Sequence, residues 1–394
     1  MAARRTIFGG LAASLFVLIT NLGGSPAWAL VDCNVPGQSI SAAIEAGETE
    51  IEFIGACREY IDLQTDGISI SGASGDRTRD VVEQGLYLRG AQNAYFRSFT
   101  ILGGSGTSDG AVANYSDMVL DGLSADGNSK IEIEGSLILG DGVAASEGGY
   151  IYIQSTPIAG PNDGITVADG GQIYITSSDV TNLKYGVQVT RNSSFTMLAG
   201  RLGPALEDDG QRGCNPLCIS NASSALIDGT VIEGSNNDPT IGGAVTVSRN
   251  SLLEVIGGAT ISNSGSQPAI GVYEASTLRQ DRTNGPSGSQ TGNLVVSGKS
   301  YADIRAGSLQ GNIEVRLDSL LRLGAAGVGS APDQIEITGD TTLAQDSHLV
   351  VEDPLVTING DITCADRRSR LAGSFAGTGS VIRCRDFNNA KVAR

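Results

Sequence analysis

Three aspartates and a lysine are the residues of this chain whose types and spacing could support chemistry. Asp109, Asp141 and Asp163 each stand four residues ahead of an apolar position, at Ala113, Ala145 and Val167. If those positions stack as successive turns of one coil, the carboxylates share a corner at a spacing of about 5 Å. Like charges that close repel unless a cation lies between them, and Ca²⁺ takes oxygen ligands of this kind. Lys184 falls five residues ahead of Val189 on the following turn, beside Tyr185. The next turn is stretched to 30 residues, and its extra loop carries Asp208, Asp209 and Arg212 back toward the same corner. Such a patch would suit β-elimination of a uronate polymer. The cation would hold the substrate carboxylate and acidify the adjacent C–H, neutral Lys184 would take the proton, and Arg212 would neutralise developing charge. The same residues also have a plainer role, since Asp-Gly is turn chemistry and an acidic loop is commonly just solvated.

The elements that must position this patch are legible as a repeat. Asp141-Gly142, Gly148-Gly149 and Ile151-Tyr152-Ile153 return as Asp163-Gly164, Gly170-Gly171 and Ile173-Tyr174-Ile175, an offset of 22 residues. That period holds two short alternating strands, is too short for a helical repeat and suits a β-helix. Equivalent anchors are expected at Leu88, Ala113, Ala145, Val167, Val189, Ile219, Val247, Val272, Val296, Val315 and Ile337. A small hydroxyl follows four residues after most of them, at Ser193, Ser223, Ser251, Ser276, Ser300, Ser319 and Thr341. Such residues hydrogen-bond locally at sharp turns, and stacking would align them into a ladder. Alternation sends Ile165, Val167, Ile173 and Ile175 inward and Thr166 and Tyr174 outward. The expected fold is therefore all-β: a single-stranded parallel β-helix of eleven or more rungs, right-handed by the usual crossover rule. Open solenoid ends need covers. Ser39 to Glu45 has the pattern of a short amphipathic capping helix.

Residues 1–29 carry Arg4 and Arg5, an apolar run from Ile7 to Leu22 and Ala27-Trp28-Ala29, the pattern of a secretory signal cleaved after Ala29. The division that follows is 30–75 for the N-terminal cap and first rungs, 76–360 for the coil and 361–394 for a C-terminal cap. A net charge of −17 argues against nucleic acid as a partner. No later segment has the length and hydropathy of a membrane-spanning helix. Six cysteines in an exported chain favour disulfides. Fifteen pairings are formally open, and local ones are expected: Cys33 with Cys57, Cys214 with Cys218, and Cys364 with Cys384. A second polar insertion, containing Arg279 and Arg282, leaves the coil on the same side as the acidic loop. Tyr185, Asp208, Asp209, Arg279 and Arg282 are the candidate substrate contacts of a shallow groove there.

The opening of the coil resembles a known superfamily. Ser39-Ile-Ser-Ala-Ala-Ile44, then Gly55-Ala-Cys-Arg58-Glu59, then Gly67-Ile-Ser-Ile-Ser-Gly72, is similar to the start of pectin lyase-like right-handed parallel β-helix proteins. The resemblance covers residues 38 to 73 closely and is pattern-level to about 360. It implies a polysaccharide-directed surface, because many relatives act on acidic glycans while others carry no activity. Fold alone does not choose among them. The superfamily's Gly-His-Gly and Arg-x-Lys hydrolase elements are absent, and His348 is the single histidine. The expectation is an exported surface that binds polysaccharide or cell-envelope components without catalysis. The alternative is the Ca²⁺-dependent lyase built on Asp141, Asp163 and Lys184.

Overall fold

The computed structural model describes residues 28–160, 164–206, 216–234, 243–281, 287–324, 334–352, 355–386 and 392–393. Every strand pairing among them is parallel, and each strand pairs with its counterpart one turn away. The result is a β-solenoid of about 14 turns. The 22-residue repeat lies in register: Ile151 pairs with Ile173, Tyr152 with Tyr174 and Ile153 with Ile175. Ile165, Val167, Ile173 and Ile175 are buried, whereas Thr166 is exposed and Tyr174 half-buried. One continuous apolar core runs from Val31 to Phe375. No turn could bury that face alone; each is covered by its two neighbours.

Two expected anchors belong elsewhere. The observed column runs Leu88, Thr107, Ala125, Ala145, Val167, Val189 and Ile219. It continues through Val247, Val272, Val296, Val315 and Leu343 to Cys364. Ala113 lies on a different side of the turn, between Ala94 and Ile131, and Ile337 pairs with Leu309 and Ile358. The first error has a clear cause. The true anchor, Thr107, is polar yet fully buried, its hydroxyl 3.0 Å from that of Ser129.

The hydroxyl ladder forms at the corner after this column. The amides of Ser193, Ser223, Ser251, Ser276, Ser300 and Ser319 each donate to the serine Oγ of the next turn, at 3.1 to 3.4 Å. The last acceptor is Ser347, in place of the expected Thr341. These serines follow residues with positive φ, such as Asn250 and Asp318, so the chain reverses within a few residues and leaves buried N–H groups for side chains to satisfy. A second ladder was not anticipated. The Oδ1 atoms of Asn293, Asn312, Asp340 and Asp361 accept the amides of Asn312, Asp340, Asp361 and Ser380 in turn, at 2.9 to 3.0 Å.

At the N-terminal end a single helix, α1 (Ile40–Glu45), lies against the first turn with Ile40 buried. The Ser39 hydroxyl caps it through the Ala42 amide. Glu59, from the Gly-x-x-Arg-Glu turn, closes the rest: its Oε1 accepts from Ile40 N at 2.7 Å and its Oε2 from Ser41 N at 2.9 Å. A carboxylate there satisfies orphan amides and complements the helix dipole. Disulfides Cys33–Cys57 and Cys364–Cys384 join neighbouring turns near the two ends. Cys214 lies outside the described residues, and no described cysteine is a free thiol. Beyond residue 360, strands Ile362–Cys364, Arg370–Gly373 and Val381–Ile382 continue the parallel stack.

Candidate functional site

The proposed acid ladder changes membership once the register is known. Gly122 pairs with Gly142, which places Asp121, not Asp109, beside Asp141. Asp109 sits one corner away, with its backbone against Gly127, and its charge acts on Asp126 together with that of Glu147. The reason is the misplaced anchor: four residues ahead of Ala113 is a different corner from four residues ahead of Ala145. Burial raises the Asp121 carboxyl above its ordinary range, and the neighbouring Asp141 charge adds to the shift. Asp163, expected as the third acid of the ladder, lies outside the described residues, as do Asp208, Asp209, Arg212 and Arg282. Among the described residues, three metal-ligating groups converge only at Cys33, Cys57 and Glu59, and those cysteines are joined in a disulfide.

A groove of about 380 Å³ runs beside Asp141, floored by glycines of successive turns. Gly142 shows why side chains are missing there: a Cβ would meet the carbonyl oxygen of Gly164 at 2.2 Å. Tyr60 and Tyr87 stand at one end and Thr166 at the other. Lys184 and Tyr185 occupy the adjoining turn, since Gly186 pairs above Gly164. The Lys184 ammonium lies 4.8 Å from the Tyr185 ring centroid, a cation–π contact that holds both side chains together. Arg279 is on another face. It contacts Glu254 at 3.4 Å and Asp281 at 3.1 Å, and Asp281 in turn binds Arg305, so this candidate contact belongs to a charge network along the sheet.

The feature that sequence reasoning missed is on the outward face of the sheet formed by strands Ser69–Gly72, Ala94–Arg97, Val112–Ser116, Lys130–Glu134 and Tyr150–Gln154. The register stacks Ser69, Tyr95, Asn114, Glu132, Tyr152 and Tyr174 in one column. A parallel column holds Ser71, Arg97, Ser116, Glu134 and Gln154. Tyr95 and Tyr152 bracket Asn114 and Glu132 in the first column and Ser116 and Glu134 lie between them in the second, lining a trough of about 470 Å³. Tyr95 is 53% exposed. The Tyr152 and Tyr174 rings stack at 5.3 Å, and the Tyr152 hydroxyl donates to Gln154 Oε1 at 3.0 Å. Lys130 pairs with Glu132 at 2.6 Å.

The trough is rigid because its floor is core. Phe96 and Tyr115 lie directly beneath, their ring centroids 5.0 Å apart, and the buried Tyr115 hydroxyl is 2.6 Å from Ser105 Oγ. Burial pushes the Tyr115 phenol well up, so it stays protonated. Ile133 and Ile153 complete the floor. Aromatic faces beside a few fixed polar groups are the composition of a pocket for an amphipathic ligand.

No protein-family model, no curated protein and no solved structure matches this chain. The fold and the side chains themselves are therefore what bears on function. The signal available in the sequence was the tyrosine repeat itself, Tyr152 and Tyr174 at one offset. Tyr95 belongs to the same column but sits in shorter turns, so its alignment depends on the register.

Proposed function

We propose that this chain is an exported β-helix that binds extracellular polysaccharide or cell-envelope components, without catalysis, through the trough between Tyr95 and Tyr152. The observation that carries this reading is that trough: an exposed Tyr95 ring and a half-buried Tyr152 ring three strand spacings apart, about 14 Å, with Asn114 and Glu132 between them in the column. Sugar rings present an apolar face and a rim of hydroxyls. Tyrosine supplies the apolar platform and Asn114, Ser116, Gln154 and the charged groups supply the rim's hydrogen bonds. Export is supported by the signal-like residues 1–29 and by cystines, which persist in oxidising compartments. Among the described residues no helix is long and apolar enough to cross a membrane.

The lyase arrangement has less support. It was built on Asp141, Asp163 and Lys184 with Asp109 as a further metal ligand; Asp163 lies outside the described residues, and Asp109 stands on another corner from Asp141. The test is co-sedimentation of the purified chain with insoluble cell-wall polysaccharides. Wild type should pellet with at least one of them, and Tyr95→Ala with Tyr152→Ala should stay in the supernatant. Equal retention of both proteins would remove the trough from the reading.

A further inference from the structure

We infer that the trough selects neutral glycan chains, of hexose or N-acetylhexosamine units, over polyuronates. This specificity rests on the binding reading above and adds the class of ligand. Arg97 and Glu134 stand in one column two turns apart, with Ser116 between them. Among the described residues neither has an ion-pair partner, and both are exposed. Glu132, beside Glu134 on the same strand, is neutralised by Lys130 at 2.6 Å. The trough thus offers one free cation and one free anion, and a chain laid along the coil axis must pass both.

A polyuronate carries a carboxylate on every ring. Whichever ring is placed near Arg97, another comes within about one or two turn spacings of Glu134, where like charges repel. The net charge of −17 adds to that repulsion at longer range. A neutral ring meets no such cost. Its hydroxyls accept from the Arg97 guanidinium and donate to the Glu134 carboxylate, both charge-assisted bonds, while its apolar face lies on tyrosine. Discrimination therefore comes from a repulsive group as much as from attractive ones.

The experiment uses calorimetry with neutral tetrasaccharides of glucose, mannose, galactose and N-acetylglucosamine, and with tetragalacturonate, all at low salt. Wild type should bind at least one neutral tetramer about tenfold or more tighter than tetragalacturonate. Glu134→Gln should narrow the gap and Glu134→Arg should close it, by raising uronate affinity about tenfold while neutral binding weakens about tenfold through loss of the carboxylate acceptor. Because Glu134 is exposed, both variants should fold, which circular dichroism checks. Tighter binding of tetragalacturonate than of every neutral tetramer by wild type overturns the selectivity and leaves polysaccharide binding intact. Binding of no tetramer of either class, with co-sedimentation also absent, overturns the binding reading itself.

Discussion

Tyr152 and Tyr174 stack with ring centroids 5.3 Å apart and planes 23° from parallel, on adjacent turns of one coil. Their contact is a direct product of the 22-residue repeat. A double-mutant cycle with Tyr152→Ala and Tyr174→Ala should give a coupling of about 0.5–1.5 kcal/mol by urea denaturation. Additive effects would mean that the rings act separately.

The serine ladder holds buried amides. Ser251 is 2% exposed and its Oγ accepts the Ser223 amide at 3.3 Å. Ser251→Ala leaves that amide without a partner and should cost about 1–3 kcal/mol. Hydrogen exchange at Ser223 should accelerate more than at residues several turns away.

Asp121 makes the opposite demand on stability from a capped carboxylate. The Asp121 carboxyl is raised by burial and by Asp141, so the folded state prefers it protonated. Its ionised form costs stability at neutral pH, and that cost disappears as pH falls through the raised value to below about 3.9, the unfolded range. Asp121→Asn should therefore be more stable than wild type at pH 7, by less than about 1 kcal/mol for a partly exposed group. The two melting temperatures should meet near pH 3.

Asp366 has the reverse sign. Partial burial pushes its carboxyl up, but bonds from the amides of Arg368, Ser369 and Gln345 and from the Ser369 hydroxyl outweigh this and hold it at about 2. Its stabilisation is complete above about pH 4 and is lost as pH falls through about 2. Screened at this largely exposed site, Asp366→Asn should cost about 1 kcal/mol at pH 7 and nothing below pH 2. Acid unfolding curves of the two proteins would show it.

Gly142 has φ near +90°, and an added Cβ would lie 2.2 Å from the Gly164 carbonyl oxygen. Gly142→Ala should destabilise by about 2–4 kcal/mol, since backbone must move to relieve the contact. Thermal unfolding monitored by circular dichroism would measure it.

Much of the coil was legible because strand alternation and a constant period are local properties. From Ala145 to Val315 every anticipated anchor pairs as expected. The misplacements fall where the period changes. Along another row of stacked amide-to-hydroxyl hydrogen bonds, the partners are 18 residues apart at Met118 and Ser136, 20 at Ser136 and Thr156, and 22 at Thr156 and Ser178. Where turns shorten and a buried threonine takes an apolar position, apolar-x-apolar segments on different sides of one turn look alike. Asp109 was assigned to the wrong corner for that reason, and Asp121, its true replacement, was overlooked. Glu59 was visible within a motif, yet its task of closing the helix N-terminus came only from its contact with Ile40 and Ser41.

By itself, the order of residues determined that this chain coils as parallel strands, which side chains of the central turns face inward, and where serines would line a corner. Those outcomes follow from alternation and turn chemistry within one period. Tertiary structure decided which outward residues become neighbours, because side chains 18 to 30 positions apart meet only through the exact count of residues in each turn. Thus Tyr95, Arg97, Glu134 and Tyr152 came to line one trough, and Asp141 gained Asp121 in place of Asp109.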